Sequence, residues 1–166
     1  MPLRILTVLL ALAVPLSAQE VPLEYRVKAA FLYNFARFVE WPATMAAGPL
    51  TLCVAGRNPF GDALEATLGG ARIRGRAVTS RVITEPDSSC HIVFVPEGTG
   101  AAAYLRNRQA PTLTVGESDD FIAMGGIVNF IREGGNVRFE IDAMAADRAG
   151  LRISSRMLRL ARTPER

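Results

Sequence analysis

The sequence predicts a three-layer α/β domain: a mostly parallel sheet, helices on both of its faces, and an antiparallel C-terminal hairpin. Three observations predict it. Between residues 50 and 115, short apolar runs of strand length alternate with segments of helical character, the pattern of parallel strands joined by crossovers. Two further alternating runs flank Glu133-Gly134-Gly135-Asn136, a hairpin signal. The chain has 166 residues, the length of one domain with a sizeable core.

Taken in order, residues 1–18 read as a signal peptide, leaving residues 19–166 as the single mature domain. Arg4 supplies a positive start, residues 5–14 are apolar apart from Thr7, and Pro15-Leu16-Ser17-Ala18 ends in a small residue suited to cleavage. The run is shorter than the roughly 20 residues a membrane helix needs. Residues 22–40 read as one helix, with Pro22 in its first turn. Val27, Phe31, Phe35 and Phe38 form its apolar stripe, which Leu32 and Val39 widen. Trp41-Pro42 stops it, because proline disfavours a helical residue before it. A strand at 50–55 leads through Asn58-Pro59-Phe60-Gly61 to a helix at 62–68, ended by Gly69-Gly70. Strands at 77–84 and 91–95, a helix at 99–109 and a strand at 112–115 follow. The hairpin runs 127–132 and 137–142 come next; Val137, Phe139 and Ile141 face one way, Arg138, Glu140 and Asp142 the other. A helix at 143–149 stops at Gly150, and Ser154-Ser155 can cap a last helix at 156–162. Right-handed crossovers would place the second strand on one side of the first and the third strand on the other.

The charge balance argues against a nucleic-acid partner. Lys and Arg number 19 and Asp and Glu 16; removing Arg4 leaves 18 − 16 = +2, without a basic stripe or a readable motif. G-x-S-x-G, H-E-x-x-H, the P-loop and the dinucleotide fingerprint are absent, and GGIVNF opens a strand rather than a nucleotide loop. No catalytic residue, metal or cofactor is therefore expected.

Cys53 and Cys90 are the only cysteines, and Cys90 adjoins the only histidine, His91. Export to an oxidising compartment favours pairing them, and neighbouring strands would bring their Cα atoms close enough. The bond would close a loop of 90 − 53 = 37 residues, for about 4 kcal/mol by the chain-entropy account. A free buried thiol, a metal site and a thiol–imidazole pair are the alternatives. Adjacent side chains on a strand diverge, and zinc wants about four ligands.

In a doubly wound sheet, ligands bind at the carboxyl ends of the strands. The loops there offer Arg57, Asn58, Thr99, Glu117 and Ser118 as candidate ligand-binding residues. Glu117, Asp119 and Asp120 are either a cation cluster or a turn with a helix cap. Arg148, Arg152, Arg156, Arg159 and Arg162 crowd the C-terminus. Arg152, Arg156 and Arg159 are the candidate contacts for an acidic partner or anionic lipid; a solvated face is the alternative.

Several segments together resemble the YfiR/HmsC-like family of small periplasmic proteins. They are YRVKAAFLYNFARFVEWP, LTLCVAGRNPFG, CHIVFVP, LTVGE, GGIVNF and VRFEID, followed by AGLRISSRMLRLAR. Their order and spacing carry the match across residues 22–162. The resemblance implies a periplasmic regulator rather than an enzyme, one that restrains an inner-membrane diguanylate cyclase through its periplasmic domain. Cyclic-di-GMP production and biofilm formation would fall accordingly. It also implies an outer-membrane lipoprotein that sequesters the repressor. The family's first cysteine pair matches Cys53 and Cys90. Its second has no counterpart, since the surroundings of Gly125-Gly126 hold no cysteine. The sequence leaves open a homodimer, and also a small-molecule-binding module that feeds a sensor or transporter.

Overall fold

The computed structural model describes residues 20–106 and 111–164; the predicted signal peptide and the end of the helix predicted at 99–109 lie outside the described residues. The chain runs α1 (Leu23–Phe38), β1 (Val39–Glu40), a 3-10 turn (Ala43–Met45), β2 (Leu50–Ala55) and α2 (Ala63–Leu68). Then come β3 (Arg72–Ile73), β4 (Arg76–Ile83), β5 (Ile92–Val95), α3 (Ala101–Arg106) and β6 (Leu113–Gly116). The last part is β7 (Val128–Glu133), β8 (Asn136–Ile141), α4 (Ala143–Arg148), β9 (Arg152–Ile153) and α5 (Ser155–Leu160).

The main sheet has the order β3-β4-β2-β5-β6-β7-β8. β4, β2, β5, β6 and β7 are parallel, and β3 and β8 are antiparallel edges. β2 lies between β4 and β5, as right-handed crossovers require. Gly134 and Gly135, both at positive φ, make the two-residue turn between β7 and β8. Asp142 caps α4 by accepting from the Ala145 N–H, and Ser154 caps α5 by accepting from the Met157 N–H.

Strand alternation divides the core. Leu50, Leu52, Val54, Ile92, Phe94, Leu113, Val115, Phe130 and Phe139 join the larger cluster, with α1, α2, α4 and α5. Cys53, Ala55, Val93 and Val95 join a smaller one with Tyr104 and Leu105 of α3 and with Phe121.

Two expectations need correcting. The first helix ends at Phe38, two residues early, because Val39 and Glu40 pair as β1 with Ile153 and Arg152 of β9. Its fully buried positions are Lys28, Ala29, Leu32, Phe35 and Ala36, whereas Val27, Phe31 and Phe38 of the predicted stripe are only half buried. The helix is rolled, so one flank of its apolar face stays open.

Candidate functional site

Cys53 and Cys90 are joined in a disulfide, with Cα atoms 5.9 Å apart and both residues fully buried. Cys53 is level with Val93 on β5, so Cys90, two residues before that strand, folds back over the sheet to reach it. Arg81, opposite Cys53 on β4, lies across the outside. Its guanidinium donates to Asp87 at 2.7 Å and Ser89 at 2.6 Å, and sits 3.9 Å from the Cys90 sulfur. The Ser89 N–H and hydroxyl, with Arg81, hold the Asp87 carboxyl down to about 2.

The His91 ring turns away from this bond. Its Nδ1 accepts from the Thr51 N–H at 3.2 Å, and its Nε2 lies 2.9 Å from the Met45 carbonyl and 2.8 Å from the Arg76 guanidinium. Trp41 packs edge-on against the ring and donates to the His91 carbonyl. Burial, and then the nearby Arg76 guanidinium, lower the imidazole's affinity for a second proton. His91 is a neutral strut between loops. With both sulfurs bonded, neither a thiol–imidazole pair nor a thiolate metal site exists here.

At the carboxyl edge of the sheet the predicted loops do meet. The Cβ position of Gly56 lies 2.8 Å from the Thr99 methyl, so only glycine allows that approach. Asn58 is folded into its own turn, accepting from the Phe60 N–H and donating to the Gly61 carbonyl. Glu117 points inward and accepts from Lys28 at 2.6 Å, from the Tyr25 hydroxyl at 3.2 Å and from the Glu97 N–H at 3.1 Å. Lys28 also donates to Glu24 at 2.5 Å and lies over the Tyr25 and Phe130 rings. The Lys28 and Glu117 side chains are 5% and 6% exposed. Burial, reinforced by Glu117, pushes the Tyr25 phenol up to about 12. For Glu24, burial acts upward, but hydrogen bonds from Lys28 and Arg132 outweigh it and hold the carboxyl low.

This charged plug is the feature that sequence reasoning missed. Its signal was Lys28 interrupting an apolar helix four residues after Glu24. Arg57 is exposed and Ser118 half buried, and neither makes a side-chain hydrogen bond among the described residues. Asp119 and Asp120 are exposed on a turn in which Phe121 N–H bonds to the Ser118 carbonyl and Met124 N–H to Asp120. That turn delivers the Phe121 ring onto Gly116 and Gly126, where a Cβ would come within 2.2 Å of it. The glycine of GGIVNF is a seat for an aromatic ring.

Between α1 and α5 lies an apolar groove of about 190 Å³, lined by Phe31, Phe35, Phe38, Phe139, Met157 and Leu160, with Asn34 and Arg156 at its edge. The half-buried flank of α1 forms one wall. Leu160, 63% exposed, stands out from the other. The Arg156 guanidinium lies over the Phe38 ring at 5.9 Å, as does that of Arg37 at 5.8 Å. Arg148, Arg152 and Arg159 are exposed, while Arg162 pairs with Glu133 at 2.5 Å. Among the described residues no group of three or more His, Cys, Asp or Glu side chains could hold a metal ion, and no helix is long and apolar enough to cross a membrane.

These features define a class: a three-layer α/β domain, stapled by one disulfide, with an apolar groove under arginines. A model of the YfiR/HmsC-like family matches residues 25–162, and the chain belongs to that family of periplasmic regulators. Among solved structures it is similar to a conserved domain protein from Vibrio cholerae O1 biovar eltor, with a TM-score of 0.56 and 10% identity. The match covers 85% of this chain and 60% of that one, and at such identity it speaks to the fold alone. Comparison with curated proteins finds no match.

Proposed function

We propose that this protein is a non-enzymatic periplasmic repressor. It docks on the periplasmic domain of an inner-membrane signalling protein, such as a diguanylate cyclase, and so lowers cyclic-di-GMP and biofilm formation. The observation that carries this reading is the α1–α5 groove. Large apolar side chains left exposed in one patch are a recognition feature, and aromatic and arginine side chains dominate binding energy where they are central. Arg152, Arg156 and Arg159 would add attraction for an acidic partner and speed encounter at low salt. Family membership supports regulation over catalysis. An outer-membrane lipoprotein that covered the same groove would relieve repression, and so would a homodimer built through it.

Cells lacking the protein should contain more cyclic-di-GMP, and the wild-type chain should restore the low level. Leu160→Asp, at an exposed position outside the core, should leave folding intact and fail to restore it. Full restoration by this variant would remove the groove from the reading. An unchanged cyclic-di-GMP level in the deletion strain would remove the cyclase.

A further inference from the structure

Beside the groove, and sharing Phe38 with it, lies a second recess of about 380 Å³. Three distant parts of the chain bring guanidinium groups to its wall: Arg37 in the last turn of α1, Arg74 in the β3–β4 turn, and Arg152 on β9. Ser155 adds a hydroxyl, and Glu40, opposite Arg152 in the β1–β9 pair, is the only carboxylate lining it among the described residues. Three cations against one anion leave the recess at 3 − 1 = +2.

The cations are placed rather than scattered. Arg74 sits at φ 50° and Gly75 at φ 79°. Such a two-residue turn usually starts with Asn, Asp or Gly, and a long side chain at positive φ is uncommon. This turn brings the guanidinium to the end of α1, where it reaches the carbonyls of Val39 at 3.4 Å and Arg37 at 3.5 Å. Its ion pair with Glu40 is 3.7 Å long, with both side chains more than half exposed, a weak contact. Arg37 is held over the Tyr33 and Phe38 rings. Arg152 has no ion-pair partner among the described residues.

We propose that this recess binds a phosphate group. Guanidinium forks match phosphate oxygens in pairs. A phosphate monoester carries nearly two negative charges at pH 7, the amount the recess leaves uncompensated. The group could arrive as free phosphate or on a lipid headgroup, and its chemistry is the same in both. Occupancy would neutralise arginines beside the docking groove and weaken its pull on an acidic partner. That consequence rests on the docking role proposed above; the binding does not.

Calorimetric titration of the purified protein with inorganic phosphate, at constant ionic strength with chloride as control, tests it. One saturable site is expected. Arg37→Ala and Arg152→Ala should each weaken it about tenfold, the loss of one charge-assisted hydrogen bond. Arg148→Ala, outside the recess, should not. Co-sedimentation with phosphatidylcholine vesicles containing phosphatidic acid, reversed by free phosphate, would assign the headgroup source. Phosphate binding without sedimentation would assign the free anion. No saturable binding, or equal binding by a natively folded Arg37→Ala, Arg152→Ala double variant, would overturn the proposal.

Discussion

On the α1 side of the sheet, Phe35 meets Phe139 edge-on at 5.0 Å and stacks on Phe130 at 5.8 Å, while Phe60 and Phe94 close the far end at 5.0 Å. On the α3 side the strands present Cys53, Ala55, Val93, Val95 and Gly116, and among the described residues Tyr104, Leu105, Phe121 and Cys90, with Ala101 beside them, pack against these small side chains. One face therefore holds through area removed from water, which scales with side-chain size. The other has little area to remove. There a covalent bond restricts the unfolded chain instead, and two glycines let one ring fill the remaining space. The Lys28–Glu117 pair joins the two systems, since Lys28 belongs to α1 and Glu117 opens the turn that carries Phe121. A sheet covered by helices on both sides need not be stabilised alike on both.

The comparison breaks most sharply at the disulfide. A Cys53→Ser, Cys90→Ser double variant should lose about 4 kcal/mol in chemical denaturation, the amount expected for a loop of this length. Hydrogen exchange in that variant should rise first in α3 and residues 117–126, with α1 retaining protection. A uniform rise would mean that the faces are one cooperative unit. Glu117→Gln should cost up to about 3 kcal/mol, because it leaves the buried Lys28 ammonium only one of its two carboxylate partners, Glu24. Adding Lys28→Met should recover part of that loss, since the buried ammonium is then removed along with its carboxylate partner. Gly126→Ala should cost about 2 kcal/mol by driving a methyl into the Phe121 ring; a cost near zero would show that the thin face can shift. The smallest effect concerns acid. His91 binds its second proton less readily in the folded protein, so below about pH 6.5, the ordinary value, the unfolded state takes up that proton first. Stability then falls as pH falls. His91→Asn should be less stable at pH 8 but show a shallower loss between pH 7 and 5, measured by melting temperature.

Much of the architecture was legible because it is written in local patterns. The hairpin follows from Gly134-Gly135, the last helix from Ser154, and the strand order from crossover handedness applied to alternating runs. The disulfide followed from that order together with the reading of an exported chain. What escaped was decided by contacts between distant segments. β1 and β9 are two residues each, too short to carry a period, and exist because Val39 and Ile153 meet. Periodicity marked Phe31 and Phe38 as apolar without showing that the six-residue α5 covers them only in part. Of the carboxyl-edge residues, Thr99 packs on Gly56 and Glu117 turns inward. Glu117's inward direction depends on Lys28, 89 residues away, a pairing no motif encodes.

The Cys53–Cys90 bond also changes what a protease can achieve. It encloses α2, β3 and β4, and with them the exposed turns at Gly70, Gly75 and Glu85. A single cut at any of these leaves both pieces covalently joined, with β2 and β5 still adjacent and no fragment released. An envelope enzyme that nicked the molecule there would yield a two-chain protein of unchanged mass plus one water. Such a nick would be invisible on a non-reducing gel and apparent only once the sulfurs part.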